Sequence, residues 1–147
     1  MTAEPRNAHS QAGRQWAAQI PRTLFTGVPS APLLNTGLVG PYPLRYEQIQ
    51  KAIGRVAAGA YALGYASADG GFGVLMVGRS DTDLGSTLTN HIGTQSLFKF
   101  VISGSPMLAF EKECELFHDF SPPNNRRHPE RAAGTKWTCP RCRQFGS

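Results

Sequence analysis

The spacing of apolar positions changes along this chain, and each change marks an element. Tyr46, Ile49, Ile53 and Val56 recur three or four residues apart, which predicts a helix over residues 44–58 ending at Gly59. Tyr61 to Tyr65 and Phe72 to Val77 are short apolar and aromatic runs on either side of Ser67-Ala68-Asp69-Gly70-Gly71, so together they read as a hairpin. Leu84, Leu88 and Ile92 share a helical face, with Asp81 or Asp83 placed to cap a helix running to about His91. Phe98, Phe100 and Ile102 then alternate with Lys99 and Val101, the period of a strand over 97–102. Ser105-Pro106 offers a cap followed by Pro at the first helical position, starting a helix through Met107 to about Phe120. The order after the first helix is strand, strand, helix, strand, helix, the pattern of a small α+β fold.

The first 45 residues carry no such period. Pro5, Pro21, Pro29, Pro32, Pro41 and Pro43 exclude a long helix, and Gly27, Gly37 and Gly40 interrupt any strand. Residues 1–45 are therefore expected to form an irregular, partly disordered arm. Its apolar pieces, Leu24, Phe25, Leu33, Leu34, Leu38 and Val39, would pack on the domain or on a protein partner.

Composition narrows the class of partner. A chain of 147 residues, 40% of them apolar, builds one core of ordinary size. No apolar run approaches the roughly 20 residues that span a bilayer, and Met1 to Ala18 has no export-signal pattern, so a cytoplasmic protein without membrane contact is expected. The formal charge of +5 favours a polyanionic partner. Three cysteines, two of them in Cys139-Pro140-Arg141-Cys142, suit a metal site in a reducing compartment better than a disulfide framework.

Gly59-Ala60-Tyr61, Met76-Val77-Gly78-Arg79-Ser80, His91, Glu113, Pro122 and Asn125, in that order on the expected elements, resemble the core of a GIY-YIG nuclease domain over residues 59–125. The resemblance implies a three-stranded antiparallel sheet flanked by helices, with the domain spanning 46–125 and a basic tail over 126–147. It also implies metal-dependent endonuclease activity on DNA. Glu113 would hold Mg²⁺ or Mn²⁺ as Lewis acid, Tyr61 would serve as base or water-positioner, and His91 and Asn125 would complete the set. Two positions depart from the family pattern: Met76 stands for the second Tyr, and Thr87 for the helix Arg. Arg79, just past the second strand, is the replacement cation for phosphate, or else a solvated strand-end residue. Each of the others has a plain alternative: Tyr61 as core, His91 as helix-end packing, Glu113 as a solvated helix face, Asn125 as a structural hydrogen-bonder.

The second constellation is cysteine-based. Cys139 and Cys142 have the spacing of a zinc knuckle, and Cys114 and His118, four apart, share a face of the last helix. Together they make a tetrahedron of three cysteines and one histidine for structural Zn²⁺, with His128 competing with His118 for the fourth place. Such a site would clip the irregular tail onto the helix bearing Glu113. The tail also concentrates charge: Arg126, Arg127, Arg131, Lys136, Arg141 and Arg143 against Glu130, with Trp137 and Phe145 among them. Cations of this kind give sequence-independent affinity for phosphates, and Trp137 either stacks on a base or packs over the knuckle. Beside the nuclease stand two other functions: a catalytically inactive module binding nucleic acid or protein on the same fold, and a toxin or effector domain delivered into another cell.

Overall fold

The computed structural model describes residues 36–142. They form β1 (Val39–Pro43), α1 (Tyr46–Ala52), β2 (Gly59–Ala66), β3 (Phe72–Ser80), α2 (Leu84–Thr89), β4 (Leu97–Ile102) and α3 (Pro106–Phe120). The class is α+β, with one four-stranded sheet in the order β1-β4-β2-β3. Every neighbouring pair of strands is antiparallel. Among the described residues no helix is long and apolar enough to cross a membrane.

Two expectations are corrected. The sheet has four strands, because residues 39–43 of the supposed irregular arm pair with β4. Pro41 and Pro43 are tolerated there because β1 lies at the sheet edge, where a missing N–H need not leave a neighbour unpaired. The first helix is also much shorter than residues 44–58. It closes at Ile53, next to Gly54, and leaves Val56 75% exposed instead of on a buried face. The remainder of the arm, residues 1–35 with Leu24, Phe25, Leu33 and Leu34, lies outside the described residues, as do Arg143 and Phe145.

The sheet separates two apolar layers. Tyr61 and Leu63 of β2 stand opposite Phe100 and Phe98 of β4. These four pack with Ile49 and Ile53 from α1 and its exit, and with Leu84 and Leu88 of α2. The alternate residues Ala60 and Ala62 face the other way, meeting Val77 and Leu116 of α3. Their small side chains let α3 lie close to the strands. Ser105 Oγ accepts the Leu108 N–H at 3.2 Å and Pro106 follows in the first turn, so α3 starts where the sequence signals it.

One glycine is demanded by close approach. Gly78 stands directly opposite Tyr61, and a Cβ there would lie 2.4 Å from the Tyr61 hydroxyl. Tyr65 lies over Gly73 in the same manner, with a Cβ meeting its ring at 2.5 Å. The Tyr-over-Gly pairing therefore occurs twice in this hairpin, once outside the family pattern, and is a packing device in its own right.

β3 carries a bulge at Leu75, where the register slips between Leu63 and Gly64. The bulge turns a carbonyl outward, and the Asn124 N–H donates to it at 2.9 Å. Next along the chain, the Asn125 side chain accepts the Val77 N–H at 2.8 Å and donates to the Val77 carbonyl at 2.9 Å. The chain after α3 thus covers part of the exposed β3 edge, the usual remedy for unpaired strand groups. Residues 121–142 form no helix or strand.

Candidate metal centre

α3 ends at Phe120, and its last turn places His118 and Asp119 under the returning tail. The tail brings His128, Cys139 and Cys142 to the same spot. The ligand atoms of His118, His128, Cys139 and Cys142 all lie within 4.8 Å of one another, a group that could hold a metal ion. Sequence reasoning chose three of the four and set His128 against His118. The structure brings both histidines into the group and leaves Cys114 outside it: its thiol is buried with Phe110 and Cys139, and burial pushes it well above the ordinary thiol range.

The chemistry of the donors fits a cation. His118 Nε2 is buried with no hydrogen-bond partner, an arrangement that costs free energy unless something fills the position. His128 directs Nδ1 at the Pro129 carbonyl, 2.8 Å away, which leaves Nε2 for the cluster, 3.5 Å from Cys142 Sγ. Fixing one imidazole nitrogen on a carbonyl is how ligating histidines are usually oriented. Burial opposes ionisation of Cys139, but the backbone N–H groups of Arg141 and Cys142, with the His128 and Cys142 side chains, outweigh it and bring the thiol down to about 6. The Arg141 N–H approaches Cys139 Sγ at 3.3 Å, so the knuckle turn already points a donor at the sulfur.

A second clamp lies beside the four donors. Arg141 grips Asp119 with both terminal guanidinium nitrogens, Nη1 and Nη2, at 2.5 and 3.3 Å. The pair is partly exposed, so it adds geometry more than energy.

Residues of the family pattern fall into three separate places. Tyr61 and His91 meet on the α1/α2 side of the sheet, hydroxyl to Nε2 at 2.9 Å. Burial raises the Tyr61 phenol above its ordinary value, with the Glu113 charge adding to it, and burial lowers the His91 imidazole. Thr87 lies one helical turn before His91, and α2 itself stops at Thr89, short of that histidine. Asn125 is at the β3 edge, both of its amide atoms committed to Val77.

Arg79 and Glu113 occupy the opposite face. Arg79 shares the side of β3 that carries Val77, and donates from Nη1 to Glu113 Oε1 at 2.7 Å. Its Nε donates to Asp81 at 2.7 Å. The guanidinium lies 5.2 Å from the Phe110 ring centre and 5.9 Å from that of Trp137. Two carboxylates and two rings therefore hold it, and it is not a solvated strand-end residue. Burial raises the Glu113 carboxyl, with Arg79 pulling the other way. One oxygen of Glu113 is thus committed to a guanidinium, and nothing in this arrangement supports Mg²⁺ there. The sequence offered Asp81 only as a helix cap, a place that Asp83 takes, and did not single out Phe110. Asp81 is two residues from Arg79, a spacing visible only once the strand end is known, and Phe110 carried no signal at all.

Trp137 links the two regions. It packs on Phe110 at 5.6 Å between ring centres and against the Cys114–Cys139 cluster, and Arg131 donates to its carbonyl at 3.1 Å. No family model, curated protein or solved structure matches this chain.

Proposed function

We propose that this chain is a nucleic-acid-binding domain of GIY-YIG-like architecture, whose basic tail is clipped to α3 by a structural zinc ion. The observation that carries the binding reading over cleavage is the Arg79–Glu113 pair at 2.7 Å, on the face of the sheet away from Tyr61. A carboxylate neutralised by its own guanidinium has little left to offer a catalytic cation.

Zinc suits the four donors because it takes two thiolates and two imidazoles in a tetrahedron. Donors at bond lengths of about 2.0–2.3 Å stand roughly 3.3–3.8 Å apart, so the cluster needs only modest tightening. With four protein ligands the site is closed, and the metal's work is to hold the tail. Of the tail cations, Arg131 and Arg141 are occupied with Trp137 and Asp119, whereas Arg126, Arg127 and Lys136 are exposed. Those three are the phosphate contacts of this reading.

The test is binding of the zinc-loaded protein to DNA by fluorescence anisotropy across a salt series. Each phosphate contact adds roughly 0.9 to the slope of log affinity against log salt for duplex DNA. Replacing Arg126, Arg127 and Lys136 together by Ala should flatten that slope by about 2–3. A slope unchanged by the triple variant, or no binding at low salt, defeats the proposal. A second reading, metal-dependent endonuclease, is favoured by the Tyr61–His91 hydrogen bond, since a phenol paired with an imidazole can relay a proton. Mg²⁺- or Mn²⁺-dependent plasmid nicking that Thr87→Arg increases and His91→Ala abolishes would establish it.

A further inference from the structure

α1 and α2 do not close against each other completely. Between them lies an open depression of about 480 Å³, a volume typical of small-ligand sites. Gly85 is part of its lining, where an added Cβ would touch Asp83 Oδ1 and the Ile49 and Ile53 side chains at 3.7, 3.8 and 4.0 Å. Tyr46 and Val56 line it while remaining 57% and 75% exposed, so a ring and a branched aliphatic group present apolar surface there. Gln50 and Asn90 bring side-chain amides, each able to donate and accept. Arg55 supplies a cation with no ion-pair partner among the described residues. The acid in the lining, Asp83, is already engaged in capping α2 through the Ser86 N–H.

An aromatic face, amide groups with both hydrogen-bonding senses and one cation are the requirements of a planar, hydrogen-bonding ligand that carries a phosphate. We infer that this depression seats a single unpaired nucleobase, stacked on Tyr46, read by Gln50 and Asn90, with Arg55 on its phosphate. Unstacked bases are commonly held this way, by an aromatic ring and amides reaching the base edge. A base inside duplex DNA cannot enter, so the seat confers preference for single strands. The inference rests on the nucleic-acid reading and adds a substrate class to it.

The experiment measures affinity for a fluorescein-labelled single-stranded 12-mer and for its duplex, side by side at one salt concentration. Tyr46→Ala should weaken single-strand binding roughly tenfold and leave duplex binding within about twofold, while Tyr46→Phe retains wild-type affinity for both. Because Tyr46 is mostly exposed, its truncation leaves the core intact. Titration with a mononucleotide, followed through the amide resonances of Gly85, Ser86 and Asn90, separates a free nucleotide from a base within a strand as the source. Shifts confined to those residues support the seat with either source. Unchanged single-strand affinity in Tyr46→Ala, or equal losses on strand and duplex, overturns it while the tail-cation variant still reports on the wider reading. If wild-type protein binds neither nucleic acid, the wider reading falls and the seat falls with it.

Discussion

Replacing Glu113 distinguishes a structural carboxylate from a catalytic one. Arg79 and Glu113 have side chains only 13% and 11% exposed, so they interact largely out of water. Truncation in Glu113→Ala removes the acceptor 2.7 Å from Arg79 Nη1 and leaves a buried guanidinium N–H without it. Breaking one side of a buried ion pair costs about 3–5 kcal/mol. Arg79 still keeps Asp81 and the faces of Phe110 and Trp137, which puts the expected cost at the lower end, about 3 kcal/mol.

Glu113→Gln behaves differently. It retains an oxygen for Arg79 and sheds a charge whose burial is unfavourable. The sign follows from the Glu113 carboxyl, raised above its ordinary value by burial despite Arg79. A carboxyl raised in the folded state costs stability when ionised, and that cost fades as pH falls through the folded pKa. At neutral pH Glu113→Gln should therefore lie within about 1 kcal/mol of wild type. Wild type should gain on it as pH falls toward 4.5. Urea unfolding of zinc-loaded protein gives both numbers. An alanine variant costing less than about 1 kcal/mol, or a glutamine variant as damaging as alanine, refutes the structural account. Loss of nicking in a fully stable Glu113→Gln protein would return the residue to catalysis.

Four further outcomes are expected. Gly78→Ala should destabilise by about 2 kcal/mol because Tyr61, 3% exposed and bonded to His91, has nowhere to move. Gly73→Ala should cost less than about 1 kcal/mol, since Tyr65 is 44% exposed and can swing into solvent; parallel urea melts compare the two. Asn125→Ala should cost about 1–2 kcal/mol and speed hydrogen exchange at the Val77 amide, read by mass spectrometry or NMR. His91, its imidazole lowered by burial, should penalise folding in acid: the unfolded chain takes up its proton first, near 6.5, so stability is retained above that pH and falls below it. The stability gap between wild type and His91→Gln should then be flat at alkaline pH and change on acidification, with zinc loss common to both proteins and cancelling.

What the sequence revealed was mostly local. β4 and α3 were legible to the residue because alternation at Phe98, Phe100 and Ile102, and the Ser105-Pro106 start, are signals carried within one element. The hairpin was legible for the same reason. β1 was hidden because proline and glycine break central strands, and nothing in residues 39–43 says that this strand lies at an edge. α1 was overextended because Val56 keeps the helical period while the chain has already turned at Gly54. At the metal cluster the spacing of Cys139 and Cys142 was informative. That His128 joins His118 in the group, instead of competing with it, while Cys114 stays outside depended on how an irregular tail folds back, which no period encodes. Arg79 and Glu113 are 34 residues apart, so their pairing follows from which faces of β3 and α3 meet.

The tail explains why the two halves of the molecule are coupled. A stretch without helix or strand has to satisfy its backbone groups elsewhere and has few of its own to hold it. Here it is fixed in sequence order at the β3 edge through Asn124 and Asn125, at α3 through His128 beside His118, and over Arg79 through Trp137. It returns to α3 through Cys139, Cys142 and the Arg141–Asp119 pair. The attachments to α3 surround the segment that carries Trp137. A metal holding His118, His128, Cys139 and Cys142 together therefore also fixes the ring that covers Arg79, and with it the environment of Glu113. Such a metal would thereby couple the charge pair on the sheet to the cluster at the end of α3 through the Trp137 ring.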